Sequence, residues 1–125
     1  MDGQHWNDLL RAEAQAARTN GRVGHRLVSE TDGFRIWLID LAPGERIGFH
    51  THVLNYFWVA TSAGRARSRN LDGRVTEMDY ALGDVRHMAY AVGESMTHDL
   101  ENIGPTRLSF TTVEDKRSPN APLPI

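Results

Sequence analysis

Apolar and polar residues alternate in short runs over most of this chain, and each run ends at a turn signal. Thr31-Asp32-Gly33, Pro43-Gly44, Leu71-Asp72-Gly73, Gly83-Asp84, Gly93-Glu94 and Gly104-Pro105 divide residues 34–113 into pieces of strand length. The pieces are 34–41, 47–52, 54–61, 65–70, 74–81, 85–91, 96–102 and 107–113. Runs at this spacing predict an all-β sandwich or barrel. Asp72-Gly73, between two such runs, predicts a tight hairpin.

Piece 34–41 is apolar on both faces, because Phe34, Ile36 and Leu38 fall on one and Trp37, Ile39 and Leu41 on the other. A strand of that kind needs cover on both sides. In a small barrel the outer cover comes from an N-terminal helix, the C-terminal tail or a second subunit, and a homodimer is the expected source.

The period changes before residue 23. Trp6, Leu9, Leu10, Ala14 and Ala17 form a helical stripe, with Asn7 or Asp8 as cap and Asn20-Gly21 as stop. The stripe is thin and alanine-rich, so a helix here is expected to dock on the barrel or on a partner. Pro119, Pro122 and Pro124 keep residues 116–125 out of any central strand and predict an extended tail that hugs the surface. The chain therefore divides into a helical segment 1–22, a β-barrel 23–115 and a tail 116–125.

The chain has 125 residues, enough for one domain with one core. Fourteen basic against sixteen acidic residues leave a formal net charge of -2, which calls for neither nucleic acid nor an anionic membrane as partner. There is no cysteine, hence no disulfide framework and no thiolate metal site. With no basic and apolar leader at the N-terminus and no apolar run of membrane length, a cytoplasmic location is expected.

The candidate chemistry lies in the histidines. His50 and His52 are two apart on a predicted strand and so share a face, where two imidazoles can grip one ion. His87 shares a face with Val85, which reads as core, and is a candidate general base or additional ligand near the same place. It also reads as a rim histidine bonded to backbone. Tyr56 and Trp58 alternate with His52 and Leu54, and Met88, Tyr90 and Met96 flank the later histidines. These five are candidate walls of a mainly apolar pocket for a small organic ligand, with Tyr56 also a candidate for proton transfer. Arg65, Arg67 and Arg69 alternate as the solvent face of a strand. Asn102 is placed to hold a turn, Asp99 and Glu101 face away from His98, and His5 and His25 read as surface histidines.

Gly44, His50, Thr51, His52, Phe57 and Gly64 follow the spacing G-x5-H-x-H-x4-E-x6-G, with Phe57 where the glutamate stands. Gly83 opens, and His98-x3-Asn102 closes, a second pattern, G-x5-P-x-G-x2-H-x3-N. Ala89 takes the place of its proline, and the stretch to His98 is about four residues longer. In these motifs the chain resembles the cupin superfamily. The resemblance implies a double-stranded β-helix (jelly-roll) barrel with a short N-terminal helix, and His50, His52 and His98 as ligands of one divalent transition metal. Tyr56 takes the glutamate's place instead of Phe57 if the loop is one residue shorter.

A three-histidine site without a carboxylate leaves the ion its full charge and open positions for a chelating substrate. Iron(II) is favoured, and zinc, nickel, manganese and copper also suit imidazole. With iron the expected chemistry is dioxygenase-type cleavage of a small carbonyl or carboxylate compound. The alternatives are a metal-assisted isomerase, cyclase or lyase, and a non-catalytic small-ligand binder in whose polar interior the histidines hydrogen-bond to one another and to water.

Overall fold

The computed structural model describes residues 7–125, so the expectations placed on His5 and Trp6 lie outside it. Helix α1 spans Asp8–Ala16 and runs into a 3-10 turn, Ala17–Thr19. The strands that follow are β1 (Arg26–Glu30), β2 (Phe34–Leu41), β3 (Arg46–His52), β4 (Tyr56–Ala60), β5 (Gly64–Arg69), β6 (Val75–Tyr80), β7 (Val85–Met88), β8 (Met96–Asn102) and β9 (Leu108–Asp115). They form a five-stranded sheet, β1-β2-β9-β4-β7, and a four-stranded sheet, β3-β8-β5-β6. All pairings are antiparallel. The architecture is the all-β, double-stranded β-helix barrel with a short N-terminal helix.

Eight of the nine strands fall on the pieces that the turn signals mark out. The ninth, β1, lies outside them, because its residues are mostly exposed and show no apolar alternation. It pairs with β2 through an irregular register between Leu27 and Ser29. The β5–β6 hairpin turns at Asp72-Gly73, where Gly73 adopts φ +99°, a left-handed conformation that glycine takes without strain.

One core fills the space between the sheets, built from Ile39 and Leu41 of β2, Ile47 of β3, Ala60, Ala66, and Leu108 and Phe110 of β9. Asn102, fully buried, ties strand ends to it: its side-chain amide donates to the carbonyls of Leu41 and Thr106, and its oxygen accepts from the Gly104 N–H. That is the turn-holding role its place at the strand end predicts.

On β2 only the inner face is fully covered. Trp37, Ile39 and Leu41 are buried, whereas Phe34 and Leu38 on the outer face remain 41% and 36% exposed. The Arg117 guanidinium lies over the Phe34 ring at 5.5 Å on the outer face. Further along the tail, the Leu123 carbonyl accepts from Arg35, which is buried on the Trp37 side, so the tail wraps the end of the strand instead of running along its outer face. It does not cover Leu38.

Helix α1 is capped by Asn7, whose side chain accepts from the Leu10 N–H at 2.8 Å. Its docking face is narrower than the stripe suggests. Ala14 and Ala17 are buried against Phe49, with Leu10 beside them, but Leu9 is 81% exposed. The helix sits outside the four-stranded sheet, on β3. The 3-10 turn and the residue after it clasp the same strand, where Thr51 donates from its hydroxyl to the Ala17 carbonyl and from its backbone to that of Asn20. No helix among the described residues is long and apolar enough to cross a membrane.

The Arg65–Arg67–Arg69 row is not a bare solvent face. Arg65 and Arg67 pair with Glu77, Arg65 also with Asp79, and Arg69 with Asp99 and Glu101. Asp99, fully buried, also binds Arg46 of β3. The row is a ladder of ion pairs on the outer side of β5, β6 and β8, with its charge already neutralised.

Candidate metal centre

His50 and His98 are cross-strand partners on β3 and β8, and His52 stands opposite Met96 one pleat further on. The ring centroids lie 4.8 Å (His50–His98), 5.1 Å (His50–His52) and 5.1 Å (His52–His98) apart. One nitrogen of each imidazole falls within 4.8 Å of the others, a spacing at which all could bind one ion.

A bulge puts the pair on the inner face. Ile47 pairs with Leu100 but His50 with His98, so β3 carries one residue more than β8 over this stretch. Ile47 and His50, an odd number of residues apart, would otherwise face opposite sides. With the extra residue, Ile47 enters the core and His50 and His52 enter the cavity, while Phe49 turns out beneath α1. The Phe49 N–H, drawn out of the ladder, donates to Oε2 of Glu13 on α1 at 2.7 Å. Gly48 lies beneath the same carboxylate, so a Cβ there would meet Glu13 Oε2 at 3.0 Å.

Hydrogen bonds orient two of the imidazoles. His50 Nδ1 donates to the Gly48 carbonyl at 2.8 Å, which leaves Nε2 as its lone-pair nitrogen. The Ser68 hydroxyl donates to the Asp99 carbonyl at 2.8 Å, so its oxygen accepts from His98 Nδ1 at 3.2 Å and frees Nε2 there as well. Nδ1 of His52 is buried without a hydrogen-bond partner among the described residues. Burial pushes all three pKa values down, that of His50 to about 4 and those of His52 and His98 well below the usual histidine range. Three neutral imidazoles, two with outer-shell partners and one carrying an unpaired buried nitrogen, fit a divalent ion.

The cluster opens on a cavity of about 320 Å³. Trp58, Met88 and Met96 line it as the sequence leads one to expect, and so does Tyr56, whose ring stacks on His52 at 4.1 Å and 17°. Tyr90 stands behind Tyr56, with ring centroids 6.3 Å apart, rather than on the cavity wall. Burial holds the Tyr56 phenol well above its ordinary pKa and pushes that of Tyr90 up to about 12.

Three expectations are corrected here. His87 is exposed on the outer side of β7, where its ring lies 5.3 Å from that of Phe57, so it does not point into the barrel. Val85, which reads as core in the sequence, is 51% exposed on the same outer face. Phe57, the residue matched by glycine spacing, points outward too, and Tyr56 is the one presented to the histidines. The physical reason is common to all three: β4 and β7 pair residue for residue without a bulge, so parity alone sorts their side chains. Met88 facing in forces His87 out.

The same parity brings in a residue that the sequence reading passes over. Arg86, two before Met88, lines the cavity opposite Trp58. Counting even positions on β7 finds it, but the pull of a histidine at position 87 hides it. Tyr80 is a second, closing a T-shaped aromatic cluster with Trp58 and Phe110. Ser68 is a third. Nothing in its local sequence marks it as the partner of His98.

Solved structures share this fold. A cupin domain from Bordetella pertussis is 19% identical, with a TM-score of 0.63 over 73% of this chain and 90% of that one. A protein with a double-stranded β-helix domain from Klebsiella pneumoniae is 25% identical, with a TM-score of 0.58 over 79% of this chain and 82% of the other. A variant of oxalate decarboxylase from Bacillus subtilis is 28% identical, with a TM-score of 0.50 over 66% of this chain and 21% of that one. No protein-family model and no curated protein matches the chain.

Proposed function

We propose that this chain, a double-stranded β-helix of the cupin kind, is a metal-dependent enzyme acting on a small organic carbonyl or carboxylate compound. Oxygen-dependent cleavage on iron(II) is the reaction class we favour. The observation that carries the reading is the convergence of His50, His52 and His98 on the floor of a cavity of small-molecule size.

The bound ion would supply Lewis acidity toward a chelating oxygen and, as iron(II), redox chemistry. The chain's own residues do the rest. The hydrogen bonds from His50 to Gly48 and from His98 to Ser68 fix which nitrogen of each ring is free. Trp58, Phe110 and Ile39 give the cavity apolar walls that exclude water from a bound ligand. Tyr56 keeps its proton across the physiological range, so it serves as a hydrogen-bond donor or wall and not as a base.

A second reading, a non-catalytic binder, has one observation in its favour. Among the described residues no carboxylate lines the cavity, and with His87 outside, the histidine cluster itself is the only imidazole there. Metal content by mass spectrometry, measured on wild type beside His98→Ala, tests the leading reading. Near-stoichiometric metal that is lost in the variant, together with oxygen uptake on candidate compounds, supports the enzyme. No metal in either, even after anaerobic reconstitution with iron(II), overturns it in favour of the binder.

A further inference from the structure

The cavity holds a positive charge that forms no ion pair among the described residues. Two arginines line it. Arg74, at its rim, is engaged with Asp72 at 2.9 Å. Arg86 makes no ion pair or hydrogen bond among the described residues, although nearly every other arginine of the barrel sheets is paired. Its charge is nevertheless felt inside, for it acts on both the Tyr56 and Tyr80 phenols. A cation kept on an inward-facing position, beside aromatic walls and with no carboxylate among the described residues lining the cavity, is placed for a ligand that brings its own negative charge.

We propose that Arg86 anchors a carboxylate of the ligand whose other end lies at the histidine cluster. This rests on the reading of that cluster as the reacting end. Register sets the span: Arg86 stands opposite Trp58, and Met88 stands opposite Tyr56, which stacks on His52. The anchor is therefore two residues, ~7 Å, along the sheet from the level of the histidines. Over this span the cavity wall is Met88, opposite Tyr56, and Trp58, opposite Arg86, with Tyr80 and Phe110 packed edge to face against Trp58. The ligand class that fits is a short acid with an apolar middle of a few carbons and an oxygen-bearing group at its far end. The planar guanidinium favours a carboxylate, which it can hold through two parallel hydrogen bonds.

The test uses two probes of equal length, the monohydroxamate of adipic acid and hexanohydroxamic acid, which differ in a terminal carboxylate. Affinities are read by titration calorimetry on zinc-loaded and metal-free protein, for wild type, Arg86→Gln and Arg86→Lys, with zinc content measured in parallel. Arg86 is exposed and unpaired, so both variants should fold. We expect wild type to prefer the carboxylate-bearing probe about tenfold, as for a charge-assisted contact at a part-exposed site. Arg86→Gln should lose that preference, Arg86→Lys should keep part of it, and zinc content should not change. Equal affinity for the two probes in wild type, or a preference that survives in Arg86→Gln, overturns the proposal. Loss of zinc binding throughout would instead overturn the metal reading. The metal-free comparison then still decides Arg86: a carboxylate preference lost in Arg86→Gln supports it, and no difference overturns it.

Discussion

The carboxylate of Glu13, on the helix outside the barrel, accepts the backbone N–H of Phe49 at 2.7 Å, one residue before the first histidine of the cluster. It also pairs with Arg46, which joins it to the buried Asp99. The helix thus closes the hydrogen-bond deficit of the bulge that phases His50 and His52.

Glu13→Ala should destabilise the fold by about 1–2 kcal/mol, the cost of leaving the part-buried Phe49 N–H without this acceptor and Arg46 with Asp99 alone. It should weaken metal binding more than Leu10→Ala, which loosens the same helix without touching the bulge. Thermal melts and chelator competition on both variants check this. Equal metal affinity in the two would mean that the bulge holds without Glu13.

Ser68→Ala removes the oxygen that accepts from His98 Nδ1. Loss of such an outer-shell partner costs roughly 10–100-fold in metal affinity. The expected signature is a weaker metal complex with a nearly unchanged melting temperature for the metal-free protein.

His87→Ala should leave metal content and ligand affinity as they are, because the ring packs on Phe57 outside the barrel. A large loss of either would show that the outer face communicates with the cavity.

Stability of the metal-free protein should depend on pH through two opposing sets of groups. The histidines of the cluster have folded pKa values below the ordinary 6.5, that of His50 at about 4. The folded state thus binds fewer protons than the unfolded chain, and the stability present above 6.5 is lost as pH falls through this range. Glu114 behaves in the opposite sense. Burial raises its carboxyl from 4.5 to about 7, so its contribution is full below 4.5 and lost as pH rises toward 7, on the order of 3 kcal/mol. With Glu114 replaced by Gln, denaturant titrations of the metal-free protein should show net loss on acidification below 6.5. Glu114→Gln, which keeps an acceptor for the Trp37 indole N–H, should gain on wild type as pH rises from 4.5 to 7.

Phe34, Leu38 and Val85 are exposed on the outer face of the five-stranded sheet, and we propose that a second copy of this chain covers them. Sedimentation should give twice the 14.0 kDa mass, and Leu38→Arg should return it to the monomer.

Much of this was legible in the residues. Turn signals at Asp72-Gly73 and Pro43-Gly44 bound the strands, and residues 34–41, apolar on both faces, mark a strand that packs on both sides. That His50 and His52 share a face follows from the two-residue period alone. Other features were hidden for identifiable reasons. β1 lacks alternation because it lies at a sheet edge. The choice between Tyr56 and Phe57 depends on loop length, and whether His87 or Arg86 looks inward depends on the register of β7 against β4.

The sequence by itself determined the all-β class, the strand pieces and the residue types able to hold an ion, because period and turn chemistry are local properties of the chain. Tertiary structure decided which face of each strand looks inward. That phase is set by the partner strand, by one extra residue between Ile47 and His50, and by a carboxylate on a helix 36 residues away from the N–H it binds. Sequence period fixes which side chains stand together. Only packing fixes the side on which they stand, because a strand turned over keeps its period and its backbone hydrogen-bonding groups and changes what it buries.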